Sequence, residues 1–145
     1  MKLQFGDTKG RVVPVKDTQA MIAGMTPQLR PGTWVFCTDP NPESKPPNAF
    51  AMIREAEGTT FILPRETAQS LGYDASLGMR QITLSVFSDL EGIGLTAAVA
   101  AALTDAGISC NVVAAFHHDH VFVPEADAER AMAALLAVQA EAKQS

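Results

Sequence analysis

Positive charge is scarce in this chain of 145 residues: 11 Lys and Arg against 16 Asp and Glu leave a formal net charge of −5. With so few cations, and those scattered, no basic surface is available for a phosphate backbone, so nucleic acid is not an expected partner. Cysteine is limited to Cys37 and Cys110. Both fall in strand-like segments and form no CxxC pair, which argues against a zinc ribbon or redox motif and for free, buried thiols. Long apolar runs are missing. The longest, around residues 98–103, is far short of a bilayer span, and no apolar signal core follows Lys2. A soluble, cytoplasmic protein is expected. Aromatic residues make up only 6%, and Trp34 and Phe36, with no basic groove beside them, are expected to pack rather than to stack bases. A GxSxG elbow is absent, so Ser88, Asp89 and a histidine do not suggest a hydrolase.

What is present is a succession of short elements. Residues 1–17 are punctuated by Gly6, Gly10 and Pro14, with RVVPV as the one strand candidate, and are expected to be an N-terminal extension. Asp17 or Thr18 is placed to cap a short helix, TQAMIAGM, ended by Pro27. TWVFC suggests a strand, and the proline-rich DPNPESKPPN an exposed loop. AFAMIREAEGTTFIL suggests a hairpin turning at Glu57 and Gly58. RETAQSLG after Pro64 suggests a short helix closed by Gly72.

The second half carries stronger patterns. In RQITLSVF, Ile82, Leu84 and Val86 alternate with Gln81, Thr83 and Ser85, the period of a strand with one apolar face, which implies a sheet covered by helices on one side. Leu95, Ala98, Val99, Ala102, Leu103 and Ala106 recur on one face of a helix that Gly107 stops. Its opposite face, Ala97, Ala100, Ala101 and Thr104, is plain enough for a second subunit or half to cover. ISCNVVAAF and VFVP form a hairpin through HHDH, and a last helix of about 126–141 turns Ala128, Ala131, Met132, Leu135 and Val138 inward. No strand follows it. The economical architecture is α+β, with two units whose antiparallel sheets complete each other or are completed by a partner chain, since open edges invite aggregation.

The order strand, DLEGIG loop, helix ending in Ala106-Gly107-Ile108 and strand ISCNVV resembles the ACT-domain superfamily. Across residues 18–138 the chain is similar to small bacterial stand-alone proteins with tandem ACT-like halves. That likeness rests on Thr26-Pro27-Gln28-Leu29, Glu57-Gly58-Thr59-Thr60, Leu95-Thr96-Ala97-Ala98 and His118-Asp119-His120-Val121-Phe122-Val123-Pro124. Arginine sensors of ACT type and aspartokinase regulatory domains look like distant relatives. The resemblance implies the ferredoxin-like βαββαβ fold in two units, residues 18–76 and 77–145, and by analogy a regulatory protein that binds an amino acid, works as a homodimer, needs no cofactor and has no catalytic activity. Phe87-Ser88-Asp89 stands where relatives often have His-Ser-Ser, and His117 where they usually have Tyr.

An α-amino acid requires donors for its carboxylate and acceptors for its ammonium. Gly92 and Gly94 would let a carboxylate approach the amides around Ile93, Leu95 and Thr96 at a helix start. Asp89, Ser88 or the Asn111 side chain would accept from the ammonium, with Glu91 and Val112 completing the expected ligand-binding set. Alternatively, the glycines only shape a strand-to-helix turn that Asp89 caps. In HHDH, His118 and His120, with Asp119, could hold a metal ion and support a metal-dependent enzyme. The alternative is a hairpin turn stabilised by Asp119, with histidines packed at a sheet end. A purely structural dimerisation module is the third possibility.

Overall fold

The computed structural model describes residues 15–85 and 93–144, the side chains of 15–17 excepted. Its elements run α1 (Val15–Ala23), β1 (Pro27–Leu29), β2 (Trp34–Asp39), β3 (Ala51–Glu55), β4 (Gly58–Pro64), α2 (Arg65–Ser70), β5 (Met79–Leu84), α3 (Leu95–Asp105), β6 (Asn111–Ala114), β7 (Asp119–Pro124), a 3-10 turn (Glu125–Asp127) and α4 (Ala128–Lys143). The strands among the described residues form one antiparallel sheet in the order β3-β4-β2-β5-β7-β6, with β1 also on β5.

β5 is shared. It pairs with β7 over its whole length, and on its other edge it meets β2 at Trp34↔Met79 and β1 from Pro27↔Leu84 to Leu29↔Ile82. One unit therefore reads β3-β4-β2-β5 and the other β6-β7-β5-β1, each the strand order of a ferredoxin-like sheet. Among the described residues no strand follows α4, and the place beside β5 in the second unit's sheet is taken by β1, which precedes the first unit's strands in the chain.

Alternation decides the layers. Ile82 and Leu84 of β5 and Val121 and Val123 of β7 face α3 and α4, where Leu95, Val99, Leu103, Ala131 and Leu135 meet them in the main core. Val35, Phe61 and Leu63 face α2 in a smaller core around Ala68. Because opposed residues of an antiparallel pair point the same way, the Trp34↔Met79 pairing puts all the helices on one side. On the other side Ile62, Met79 and Phe122 pack with Trp34, Phe50 and Val113 beneath no helix. Each wholly buried aromatic or branched side chain stabilises by about 1.5–3 kcal/mol.

Several boundaries differ from expectation. α1 ends at Ala23, before Pro27, which begins β1 and is buried. Thr18 lies inside α1, and its hydroxyl donates to the Ile93 carbonyl at 3.0 Å instead of capping the helix. The β3–β4 turn occupies Ala56 and Glu57, one position earlier than Glu57 and Gly58, because Gly58 already pairs with Glu55. The last helix proper starts at Ala128 after the 3-10 turn, and Asp119 and His120 belong to β7, leaving the hairpin turn to residues 115–118. Gly107, at φ +72°, ends α3 as its position suggested. The plain face of α3 is uncovered among the described residues: Ala97, Ala101 and Thr104 are exposed.

Candidate functional site

The predicted loop site divides. Ser88, Asp89, Glu91 and Gly92 lie outside the described residues. Gly94, at φ +103°, is the N-cap of α3 and supplies no side-chain cap, and the first turn carries no acidic residue. The positive end of that helix is therefore uncompensated by described side chains, which suits it to an anion. A Cβ on Gly94 would sit 2.7 Å from the Thr18 γ-methyl, so α1 closes one flank of the loop. Leu95 is buried in the main core and Thr96 is exposed.

Asn111 does not join them. It opposes Phe122 on the helix-free side of the sheet, whereas Val112 packs against the main core on the helix side. An acceptor on the far face of the sheet cannot reach a ligand held at the start of α3. Asn111 instead lines a cavity of about 400 Å³ with Phe36, Asp74, Ser76 and Leu77.

A second cavity on the same side, about 420 Å³, is floored by Gln81 and Thr83 of β5 and walled by Arg30, Phe50, His118 and His120. The two cavities correspond. Each combines the segment before one central strand, a residue of the other central strand and the start of an edge strand: Arg30, Gln81 and Phe50 in one, Asp74, Phe36 and Asn111 in the other. Neither includes residues 93–96.

The polar side of β5 was legible as Gln81 and Thr83 alternating with Ile82 and Leu84, but its burial was not. Gln81 is 6% and Thr83 7% exposed although no helix covers them. Burying an amide and a hydroxyl is costly without partners. They find one in His120: the Gln81 Nε2 group donates to its Nδ1 at 3.0 Å, and the Thr83 hydroxyl lies 3.2 Å from the same atom. Because Nδ1 accepts, the ring proton resides on Nε2. Desolvation, with repulsion from His118, holds the His120 pKa below its ordinary value, favouring the neutral ring. Desolvation also pushes Asp119 up, opposed by the two histidines.

His118 and His120 thus share a cavity, but Asp119, one position from His120 in the strand, belongs to the other side of the sheet. Among the described residues no group of three or more His, Cys, Asp or Glu is placed to hold a metal ion. Cys37 is buried and Cys110 half-buried, both free, with thiols raised by desolvation, which makes neither a ready nucleophile. No helix among the described residues is long and apolar enough to cross a membrane.

Comparison with known proteins agrees with this architecture. Residues 14–80 match one ACT-domain family and residues 77–137 another. No curated protein matches. A solved structure from Vibrio cholerae, a protein of unknown function described as a possible transport protein, is 41% identical over 83% of this chain and 94% of its own, with a TM-score of 0.76. A protein from Agrobacterium tumefaciens shares the fold at 16% identity, covering 78% of this chain and 87% of its own, with a TM-score of 0.66. The regulatory subunit of aspartate kinase from Thermus thermophilus does so at 12% identity, covering 79% and 97%, with a TM-score of 0.59. The chain belongs to the ACT-domain superfamily, whose modules are regulatory and bind ligands, and carries two such units in tandem.

Proposed function

We propose that this protein binds an amino acid at the segment from Ser88 to the first turn of α3, and that binding regulates a partner process rather than catalysing a reaction. The observation that carries this is the α3 N-terminus: in an ACT unit, it opens on a glycine with no side-chain cap and no acid in its first turn. A ligand carboxylate would accept from the amides of residues 95 and 96, and Asp89 and Ser88 would receive its ammonium. Asn111 has no part in that site. Residues 1–17 act as an extension, 18–76 and 77–145 as the two units, and the protein works in the cytoplasm as a homodimer in which a second copy covers Ala97, Ala101 and Thr104 of α3. For regulation, the ligand must bind one packing of that interface better than another.

A thermal-shift panel of the standard amino acids tests this, because a ligand that binds only the native form raises the melting temperature, by the equivalent of about 2.7 kcal/mol at a hundredfold excess over Kd. At least one amino acid is expected to do so in the unaltered protein, and Asp89→Ala to abolish the shift. A panel without response would reject amino-acid binding.

A further inference from the structure

We infer that the cavity between β1, β5 and β7, on the helix-free side of the sheet, is a second site, and that it takes a small carboxylate lacking an α-ammonium group, such as a short 2-oxo acid. It goes beyond the proposed amino-acid site, which lies at the start of a helix on the opposite side.

The charge of the lining chooses the ligand class. Arg30 supplies a guanidinium at the rim, where its side chain is exposed and, among the described residues, its Nη1 reaches only Gln28 Oε1, at 3.5 Å. Its main chain is fixed: the Arg30 amide donates to the Gln81 carbonyl at 2.8 Å, and the Arg80 guanidinium donates to the Arg30 carbonyl at 3.0 Å. The cation is therefore presented from an anchored backbone. No Asp or Glu is among the described residues that line the cavity. A carboxylate can pair with the planar guanidinium fork, whereas an α-ammonium would be repelled by Arg30 and find no carboxylate to receive it.

The depth of the cavity is polar and incompletely satisfied. Gln81 and Thr83 form its buried floor and are tied to His120, which fixes the ring. Nδ1 of His118 is shielded from solvent and has no hydrogen-bond partner among the described residues. A buried donor or acceptor left without a partner is costly, and a ligand oxygen within reach would relieve that. Phe50, edge-on to His120 with centroids 5.0 Å apart, gives one apolar wall for a short hydrocarbon tail. The volume, about 420 Å³, falls in the range of small-metabolite sites. The corresponding cavity offers Asp74 where this one offers Arg30, so anion selectivity belongs to one of the pair.

The test uses the full chain and three probes, 2-oxobutyrate, its amino counterpart 2-aminobutyrate, and inorganic phosphate, followed by calorimetry and by the imidazole nitrogen resonances of His118 and His120. At millimolar concentration 2-oxobutyrate is expected to bind and shift both imidazole signals. Arg30→Gln, on an exposed side chain, should weaken it by about tenfold or more while leaving the melting temperature of the free protein unchanged. His118→Gln should weaken it as well. Unmoved imidazole signals, or Arg30→Gln binding as tightly as the unaltered chain, would overturn the site; equal binding of 2-aminobutyrate or phosphate would overturn the ligand class. Asp89→Ala separates the two sites, since it should abolish any amino-acid response and leave 2-oxobutyrate binding intact.

Discussion

Arg65 and Glu125, 60 positions apart, form a two-pronged ion pair, with Nη1 3.2 Å and Nη2 3.1 Å from the two carboxylate oxygens. They are equivalent residues of the two units. Each follows the proline that ends a strand, Pro64 at φ −55°, ψ 140° and Pro124 at φ −53°, ψ 138°. The Arg65 amide donates to Thr33 and the Glu125 amide to Gly78, the residues just before the paired Trp34 and Met79. The pair therefore bridges the pseudo-two-fold axis between the units. Gly78 lies against it: a Cβ there would fall 2.1 Å from Arg65 Nη2 and 2.8 Å from the Thr33 methyl. Glu125→Gln is expected to cost about 0.5–1 kcal/mol, since the pair is partly exposed. Gly78→Ala should cost more in the unaltered chain than in Glu125→Gln, because part of its effect is displacement of the guanidinium. A double-mutant cycle by urea unfolding checks this; strict additivity would show that Gly78 and the bridge are independent.

Acidification should destabilise the protein through His120. Its folded pKa lies below the ordinary 6.5, so as the pH falls from there toward the folded value the unfolded chain binds more protons and stability is lost. Arg30 and His118 repel a charged ring, while Asp119 opposes the shift. Asp119 itself has the opposite sign: with a folded pKa above 3.8, it gives stability back as the pH falls through that folded value. Melting temperature against pH should decline below about pH 6.5, and His120→Asn should flatten the decline. An unchanged slope in the variant would assign it to other groups.

The two aromatic extremes of the hairpin region should respond differently. Phe122 is fully buried and touches the rings of Phe36 and Phe50 edge-on, with centroids 5.6 and 5.4 Å away. Phe122→Ala is expected to cost about 3–5 kcal/mol in denaturant unfolding. Phe116, 75% exposed, should change stability by less than about 0.5 kcal/mol when replaced by Ser. A small effect at Phe122 would mean that the helix-free side is not a packed core.

Gly94→Ala should be destabilising by more than about 1 kcal/mol, from the left-handed backbone and from contact with Thr18. Thr18→Ser removes the methyl that the new Cβ would strike, and retains the hydroxyl that donates to Ile93. In that background the cost should shrink without vanishing. Complete recovery would show that the φ of Gly94 is not the constraint.

Local periodicity made much of this fold legible. The apolar stripe from Leu95 to Ala106, the stop at Gly107 and the one-sided alternation of Ile82 and Leu84 are properties of short segments, and they led to helices on one side of an antiparallel sheet. β1 was not legible, because Pro27-Gln28-Leu29 is too short for any period to register and becomes a strand only by pairing with β5. Asn111 misled for a related reason: the turn at residues 115–118 fixes the register of β6 on β7, and that register sends its side chain away from α3.

The amino-acid order alone determined most of the helices and strands, β1 excepted, which face of the longer ones is apolar, and that the chain resembles tandem ACT units, because propensity and periodicity act over a few residues. Tertiary structure decided that β5 serves both units, that residues 27–29 complete the second sheet, and that Gln81, Thr83, His118 and His120 converge around one cavity. Those outcomes depend on hydrogen-bond pairing between distant segments, and no local pattern specifies which segment a strand edge will meet.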